Sequence, residues 1–182
     1  MNHYDANFYA AQSAGSYRSA TMVVPHIINL YKPTKIADIG GGVGMWCKAF
    51  EELGVEATCF DGSYVTPECS KFIATDLDKP LKIKGRFDAV LCLEVAEHLP
   101  EKRAEFFIND LCSLSDRVIF SAAIVGQGGT NHINEQPHEY WHKLFALNGY
   151  ECKTDLREIV QTLPQVEWWY SQNIFTYEKV KK

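Results

Sequence analysis

Apolar positions along this chain alternate between short runs typical of buried strands and longer runs with helical spacing. The strand-like runs lie at 36–39, 57–60, 72–74, 89–93 and 118–122, and the clearest helical run between them lies at 101–114. Spacing from 16 to 30 is also helical, and Pro25 inside it predicts a kink or the start of a second helix. This alternation predicts a parallel sheet with helices on both faces.

The C-terminal third continues the same pattern. Pro137 and Gly149 bracket a predicted helix, since proline favours the first turn and glycine favours the residue after the last. Two further strands are predicted near 150–156 and 170–177, where they complete the sheet. The aromatic residues at 168–170 are expected to pack in the core beside the last strand.

The stretch from Lys35 to Trp46 carries the strongest functional signal. An apolar strand reaches Asp38, glycines follow at 40, 41, 42 and 44, and an amphipathic helical run begins at once. Such a turn lets a ligand touch the backbone. The next strand ends at Asp61, 23 residues after Asp38, where a carboxylate can accept hydrogen bonds from a ribose. A cofactor with a ribose is therefore predicted.

The spacing of these glycines argues against a dinucleotide. The dinucleotide fingerprint is G-x-G-x-x-G, but its third glycine position is Met45 here and the glycine stands one earlier. G-x-G-x-G after an acid resembles the first motif of class I S-adenosylmethionine (SAM) methyltransferases. The segment 72–77 (FIATDL) is similar to that family's adenine-contacting segment, and 87–99 (FDAVLCLEVAEHL) to its fourth strand and the loop after it. The later segments 121–136 and 169–173 resemble a small bacterial and phage-type subgroup of mostly unknown substrate.

The resemblance extends from about residue 17 to 177 and implies a fold and an activity. The expected fold is α/β: a single-domain Rossmann-like three-layer sandwich with a mostly parallel seven-stranded sheet, its last strand antiparallel, and helices on both faces. The domain is expected to span 1–182, with 1–34 as an N-terminal helical cap segment. The implied reaction moves a methyl group from SAM to a small or carrier-linked acceptor and leaves S-adenosylhomocysteine. A sugar-like hydroxyl, such as that of a glycan precursor, is the leading expectation.

The same resemblance assigns residues to the cofactor. The glycines let the backbone approach the methionine part of SAM, and Asp38 braces the turn and faces the methionine ammonium. Asp61 takes the ribose hydroxyls, Asp76 and the Leu77 backbone meet the adenine edge, and Glu94 lies near the cofactor. The expected cofactor-binding residues are Asp38, Gly40, Gly42, Gly44, Asp61, Asp76, Leu77 and Glu94.

Two histidines are candidates for catalysis. His132 lies in the long glycine-rich loop 126–135 after the fifth strand, and it is the predicted general base because imidazole titrates near neutral pH. Alternatively, His132 only hydrogen-bonds the backbone of its loop. His98 follows the fourth strand and is predicted to share the acceptor pocket.

A metal site is one interpretation of the residues Glu94, Glu97 and His98. In a helix they share one face, and two carboxylates with an imidazole suit a divalent ion. The spacing resembles the E-x-x-E-H magnesium site of ubiquinone-pathway O-methyltransferases and of small-RNA 2′-O-methyltransferases. Many methyltransferases carry similar sequence without a metal, so we favour a site without Mg²⁺. A further ligand from the 132–142 region would favour the metal.

Two rival functions are also considered. His138 and His142 match the H-E-x-x-H zinc-peptidase signature, but Pro137 puts His138 in the first helical turn and no third ligand is evident. Zinc catalysis is therefore disfavoured. The other rival is a SAM-binding protein that has lost catalysis, which measurable methyl transfer would exclude.

The composition of the chain limits the classes of partner and the cellular location that we expect. The net charge is −5 and the basic residues are dispersed, whereas a nucleic-acid-binding enzyme usually has a basic face. No leader and no membrane-length apolar run is present, so a cytoplasmic enzyme without a membrane partner is expected. The six cysteines are scattered without a C-x-x-C pair, which predicts reduced core thiols. The oligomeric state is left open.

Overall fold

A computed structural model describes residues 6–181, with side chains from Ser13 onward. Within that range the helices are α1 (Ala6–Tyr31), α2 (Met45–Glu52), α3 (Glu101–Leu114), α4 (His138–Leu147), α5 (Asp155–Val160) and α6 (Trp168–Asn173), with a 3₁₀ turn at Ala96–His98. The strands are β1 (Lys35–Ile39), β2 (Glu56–Asp61), β3 (Phe72–Ala74), β4 (Ala89–Leu93), β5 (Arg117–Ser121), β6 (Tyr150–Lys153) and β7 (Phe175–Lys179).

These strands form one seven-stranded sheet in the order β3-β2-β1-β4-β5-β7-β6. Every pairing is parallel except those of β7, which runs antiparallel to both β5 and β6. The predicted fold class is therefore confirmed. The division into one domain with a cap at 1–34 stays a prediction, and residues 1–12 of that cap lie outside those whose side chains are described.

Helices cover both faces of the sheet, which explains the apolar strand runs. All five residues of β4 are buried, as expected for a strand covered on both sides. On one face the core includes Phe107 of α3 and Trp141 of α4. On the other it includes Ile27 of α1, Phe50 of α2 and residues of α5. The result is the three-layer arrangement expected from the alternating pattern.

The bounds of the last two predicted strands were wrong. In the predicted strand 150–156, residues 155–156 belong to α5, and in the predicted strand 170–177, residues 170–173 belong to α6. The buried residues explain this, because Leu156 and Val160 are four apart and Tyr170 and Asn173 are three apart, which is helical spacing. Around Pro25, α1 continues as one helix, so of the two alternatives there the second helix is wrong.

Arg103 joins α3 to the loop that follows β3. Its guanidinium donates to the carbonyls of Leu77 and Lys79 and pairs with Asp110, and only 7% of the arginine side chain is exposed. Losing the guanidinium would leave Asp110 and two carbonyls without this partner inside the protein. The pair therefore fixes the loop that carries Asp76.

We expect Arg103→Ala to lower the free energy of unfolding by roughly 3 kcal/mol, because breaking a buried ion pair strands its partner. Arg86→Ala is the matched control, since Arg86 also pairs with an aspartate, Asp116, but both side chains are more than half exposed. That control should change stability by less than about 1 kcal/mol. Urea unfolding of both variants measures the difference, and equal losses would contradict the assignment.

Candidate functional site

A cleft of about 1170 Å³ opens at the carboxyl ends of β1, β2 and β4. The strand order reverses direction between β1 and β4, and ligands of open α/β sheets bind outside such a point. Small-molecule pockets typically measure roughly 300–1,000 Å³, so this cleft has room for two ligands. Six of the eight residues predicted to bind the cofactor line it, and so do both predicted catalytic histidines: Gly40, Gly42, Asp61, Asp76, Leu77, Glu94, His98 and His132.

The glycine turn after β1 needs glycine at two cleft positions for different reasons. Gly40 has φ +77°, and a Cβ there would lie 2.4 Å from the side chain of Val95. Gly40 therefore lets the loop after β4 pack closely against the turn. Gly42 has φ +56°, and a Cβ there would meet no protein atom within 4 Å. The space beside Gly42 is the cleft itself.

Asp61, at the end of β2, holds this turn in place. Its carboxylate accepts hydrogen bonds from the backbone N–H of Gly42 at 2.7 Å and of Gly62 at 2.6 Å, and from the Tyr64 hydroxyl at 3.3 Å. Burial raises the pKa of Asp61, and the two backbone N–H groups and Tyr64 offset part of that effect. Asp61 thus presents a carboxylate to the cleft at a fixed position beside the turn.

Asp38 and Gly44 do not line the cleft, and their contact with the cofactor stays a prediction. Asp38 is 2% exposed, and its carboxylate accepts a long hydrogen bond from the Cys47 thiol at 3.8 Å. Burial, followed by the charge of Asp61, raises the pKa of Asp38 to about 7. A Cβ at Gly44 would lie 2.4 Å from Cys69 Sγ, so this glycine makes room for a cysteine.

The loop after β3 brings Asp76 and Leu77 to the cleft. The Asp76 carboxylate accepts a hydrogen bond from the backbone N–H of Asp78 at 3.1 Å and pairs with Lys79 at 2.7 Å. Lys79 lowers the pKa of Asp76, so this exposed residue is a carboxylate. Its position is set by the loop and by Arg103 behind it.

Glu94, directly after β4, has a positive φ of 57°, which is rare for a residue other than glycine. Its carboxylate accepts hydrogen bonds from the side-chain amides of Gln127 at 3.1 Å and Asn173 at 3.2 Å. Asn173 also donates to Gln127 at 2.8 Å. The C-terminal segment 169–173 therefore contributes to the cleft, because its Asn173 supplies a buried amide that positions Glu94.

Glu97, His98 and His132 come together on the floor of the cleft. One carboxylate oxygen and one nitrogen from each ring lie within 4.8 Å of one another, and the two rings pack edge to face with centroids 4.9 Å apart. Glu97 is fully buried, and neither of its oxygens has a side-chain or backbone partner at hydrogen-bond geometry. Burial and then the charge of Glu94 raise its pKa well above the usual value, which the nearby N–H groups of Glu97 and Ala123 only partly offset.

Glu135 orients His132, a contact that sequence analysis missed. Nδ1 of His132 lies 3.0 Å from the Glu135 carboxylate, which also accepts hydrogen bonds from the backbone N–H groups of Gly126 and Gly128 at 2.7 Å. Gly129 is needed here, because a Cβ would lie 2.3 Å from Nε2 of His132. The i, i+3 spacing of His132 and Glu135 was the available signal, but without a helix it does not predict contact.

His98 is anchored separately. Its Nδ1 lies 3.3 Å from the backbone carbonyl of Asn131, one residue before His132. Burial and then His132 lower the pKa of His98, so its ring is neutral near pH 7. The cluster therefore offers one buried carboxyl group, one neutral imidazole and one imidazole paired with a carboxylate.

The H-E-x-x-H match at His138 and His142 has a structural explanation. Nε2 of His138 lies 3.3 Å from the side-chain carbonyl of Asn173, Nδ1 of His142 lies 2.7 Å from the Tyr177 hydroxyl, and both rings pack against Phe175. Among residues 13–181 no third metal ligand gathers beside them. These histidines stabilise the packing of α4 on β7.

Trp168 and Trp169 line the cleft; the core prediction was wrong for Trp168, whereas Trp169 is half-buried and packs against the core. Trp168 is 55% exposed, whereas Tyr170 is buried as predicted. The helix α6 causes the difference, because it turns Tyr170 and Asn173 inward and leaves the tryptophans at the cleft. Two indole rings thus flank the opening.

Comparison with known proteins assigns the family. The Methyltransferase domain family matches residues 15–114, more than half of the chain. The chain belongs to the class I SAM-dependent methyltransferases. This methyltransferase is 27% identical over 144 residues to the ubiquinone biosynthesis O-methyltransferase of Alkalilimnicola ehrlichii, an alignment covering 72% of the chain but only about half (51%) of that relative.

Solved structures agree on the fold. Magnesium protoporphyrin IX methyltransferase from Synechocystis PCC 6803, with bound S-adenosylhomocysteine, superposes with a TM-score of 0.68 at 18% identity, covering 99% of this chain and 90% of that one. An O-methyltransferase family protein from Burkholderia thailandensis gives a TM-score of 0.67 at 11% identity, covering 98% and 61%. The methyl donor of this family is SAM. In the part of the methyltransferase that the structure describes, no helix has the length and apolarity to cross a membrane.

Proposed function

We propose that this methyltransferase binds SAM along the glycine turn and methylates a hydroxyl of a small or carrier-linked, sugar-like acceptor. One observation supports the proposal: a single cleft is lined both by the glycine turn with Asp61 and by the His98–His132 pair. The donor and the group that activates the acceptor therefore face the same space. A base positioned within reach of a bound nucleophile contributes roughly 10²–10⁴ in rate.

The cofactor half of the proposal follows from the local contacts. The methionine part of SAM would lie against the backbone at Gly40 and Gly42, where the cleft has no Cβ atoms. The Asp61 carboxylate would accept the ribose hydroxyls, and Asp76 with the Leu77 backbone would meet the adenine edge. Asp38 and Gly44 would act from beneath the turn, since they do not reach the cleft.

Asp61→Ala should weaken SAM binding by roughly 1–3 kcal/mol, because the ribose loses a charged acceptor and the Gly42 N–H loses its partner. Asp78→Ala is a suitable control, because Asp78 also lines the cleft. The Gly42 and Gly62 N–H groups and the Tyr64 hydroxyl donate to Asp61 instead. Calorimetric titration with SAM measures both. Equal affinities for the two variants would remove Asp61 from the cofactor site.

The acceptor half rests on the loop 126–135. Glu135 holds Nδ1 of His132, so the remaining ring nitrogen is the one available to remove a proton from an acceptor hydroxyl as the methyl group transfers. Trp168 and Trp169 offer flat apolar surfaces against which a sugar ring can stack. Asn131 and Thr130 add polar groups at the same wall.

A second candidate chemistry uses a divalent cation at the same cluster. The residues fit such an ion, because Glu97 has a buried carboxylate without a protein partner and two imidazoles lie within 4.8 Å of it. His132 is the ligand from the 132–142 region that would favour a metal, whereas Glu94 is held away by Gln127 and Asn173. When bound, the cation would supply Lewis acidity that lowers the pKa of the acceptor hydroxyl.

The proposed activity is tested by incubating the enzyme with methyl-labelled SAM and a panel of nucleotide sugars, with and without EDTA. The expected product is a methyl ether, which survives mild base, on a sugar hydroxyl. Label on a carboxylate, which mild base releases, or on nitrogen would contradict the assignment to a hydroxyl. SAM binding without methyl transfer to any acceptor offered would favour a binding protein over an enzyme.

A further inference from the structure

Three cysteine side chains meet behind the glycine turn, outside the cleft. Cys47 belongs to α2, Cys59 to β2 and Cys69 to the loop between β2 and β3, and their Sγ atoms all lie within 4.8 Å of one another. Cys47 and Cys59 are fully buried, whereas Cys69 is partly exposed. None of the three lines the cleft. Their separation of 10 to 12 residues hid the cluster from sequence analysis.

The glycine turn packs directly around these sulfur atoms. A Cβ at Gly44 would lie 2.4 Å from Cys69 Sγ, and a Cβ at Gly41 would lie 2.8 Å from Cys59 Sγ. Cys59 also donates a long hydrogen bond to the carbonyl of Gly42 at 3.6 Å. The cluster therefore contacts the turn from the side opposite the proposed cofactor.

The cluster has the donor atoms of a site for a soft cation. Thiolate sulfur binds zinc(II) and other soft ions strongly, and three sulfurs with one oxygen can complete a tetrahedron. The buried Asp38 carboxylate can supply this oxygen, because it lies 3.8 Å from Cys47 Sγ.

We propose that Cys47, Cys59 and Cys69 form a three-thiolate site for zinc(II), with the Asp38 carboxylate as fourth ligand. Binding forms three Zn–S bonds and one Zn–O bond and releases to solvent the protons that the four groups carry. No electron is transferred. The ion would join α2, β2 and the loop 62–71, all of which flank the glycine turn, and so would stiffen the turn.

Cadmium(II) is the probe, because its bonds to thiolate give an ultraviolet charge-transfer band that oxygen and nitrogen ligands do not give. We expect the reduced full-length protein to develop that band with one equivalent of cadmium and to need more cadmium for the full band when zinc is present in excess, because both ions compete for the same sulfur atoms. Cys69→Ser should bind cadmium at least about tenfold more weakly, because losing even a group that only supports a metal ligand costs roughly 10–100-fold in affinity. Cys152→Ser, which removes an exposed cysteine away from the cluster, should match the wild type.

Glu97→Gln separates this site from the candidate cation cluster in the cleft, since it should leave the thiolate band unchanged. A second measurement needs no variant: one equivalent of zinc should slow alkylation of Cys69, but not of Cys152, as read by peptide mass spectrometry. No thiolate band in the wild type, equal bands in Cys69→Ser and Cys152→Ser, or unprotected Cys69 would each overturn the proposal.

Discussion

Replacing Gly42 by valine is expected to reduce the affinity for SAM by more than about 100-fold, the largest binding effect of any single substitution in the cleft. Two physical causes act together. The φ of +56° disfavours a β-branched side chain, and that side chain would occupy cleft space in which no protein atom lies within 4 Å of the Cβ position. The loss should exceed that of Asp61→Ala, which removes hydrogen bonds without filling the space.

Gly54→Val is the matched control for this prediction. Gly54 follows α2 with φ +81°, and a Cβ there also meets nothing within 4 Å, but Gly54 does not line the cleft. Both variants therefore carry comparable backbone strain, and only Gly42→Val obstructs the proposed cofactor. Calorimetry on samples shown by circular dichroism to be folded gives the comparison. Wild-type affinity in folded Gly42→Val would place the cofactor elsewhere.

The second large effect concerns turnover. His132→Ala should slow methyl transfer by about 100-fold and leave SAM affinity nearly unchanged, because it removes the base and not a cofactor contact. Glu135→Gln should slow the reaction less, since the imidazole stays in place but loses its charged partner at 3.0 Å. Single-turnover rates with labelled SAM, together with calorimetry, separate the two quantities. A full rate in His132→Ala would show that the catalytic loop is misassigned.

Loss of activity in His132→Ala does not by itself distinguish a base from a metal ligand, because His132 belongs to the cluster with Glu97 and His98. Glu97→Gln makes the distinction. If His132 acts as a base and no cation is needed, Glu97→Gln keeps the shape of the side chain, so turnover should be retained, and EDTA should have no effect. If the cluster binds a cation, Glu97→Gln and EDTA should both abolish turnover, and added magnesium should restore it only in the EDTA-treated wild type.

The elements that could be predicted from sequence are those whose local pattern decides their structure. The strand β4 was predicted with its observed bounds because a buried parallel strand is a continuous apolar run. The helix α3 was predicted with its observed bounds because its 14 residues give a clear amphipathic period. The glycine turn and Asp61 were found because a tight turn between a strand and a helix demands glycine.

The remaining features depend on contacts that sequence spacing does not encode. The helices α5 and α6 have six residues each, which is too short to separate helical from strand periodicity. Pairing of Glu135 with His132 requires the loop geometry that Gly129 permits. The burial of Asp38 away from the cleft was not predicted, because a buried strand residue and one that faces a cleft look alike in sequence.

Calorimetric titration of the wild-type protein with SAM, S-adenosylhomocysteine and NAD is the most direct test of the central claim that the cleft beside the glycine turn binds SAM. We predict one SAM per chain, displacement of SAM by S-adenosylhomocysteine, no competition from NAD, and a higher melting temperature with either SAM compound. Tight binding of NAD, or no heat and no thermal shift with either SAM compound, would contradict the account.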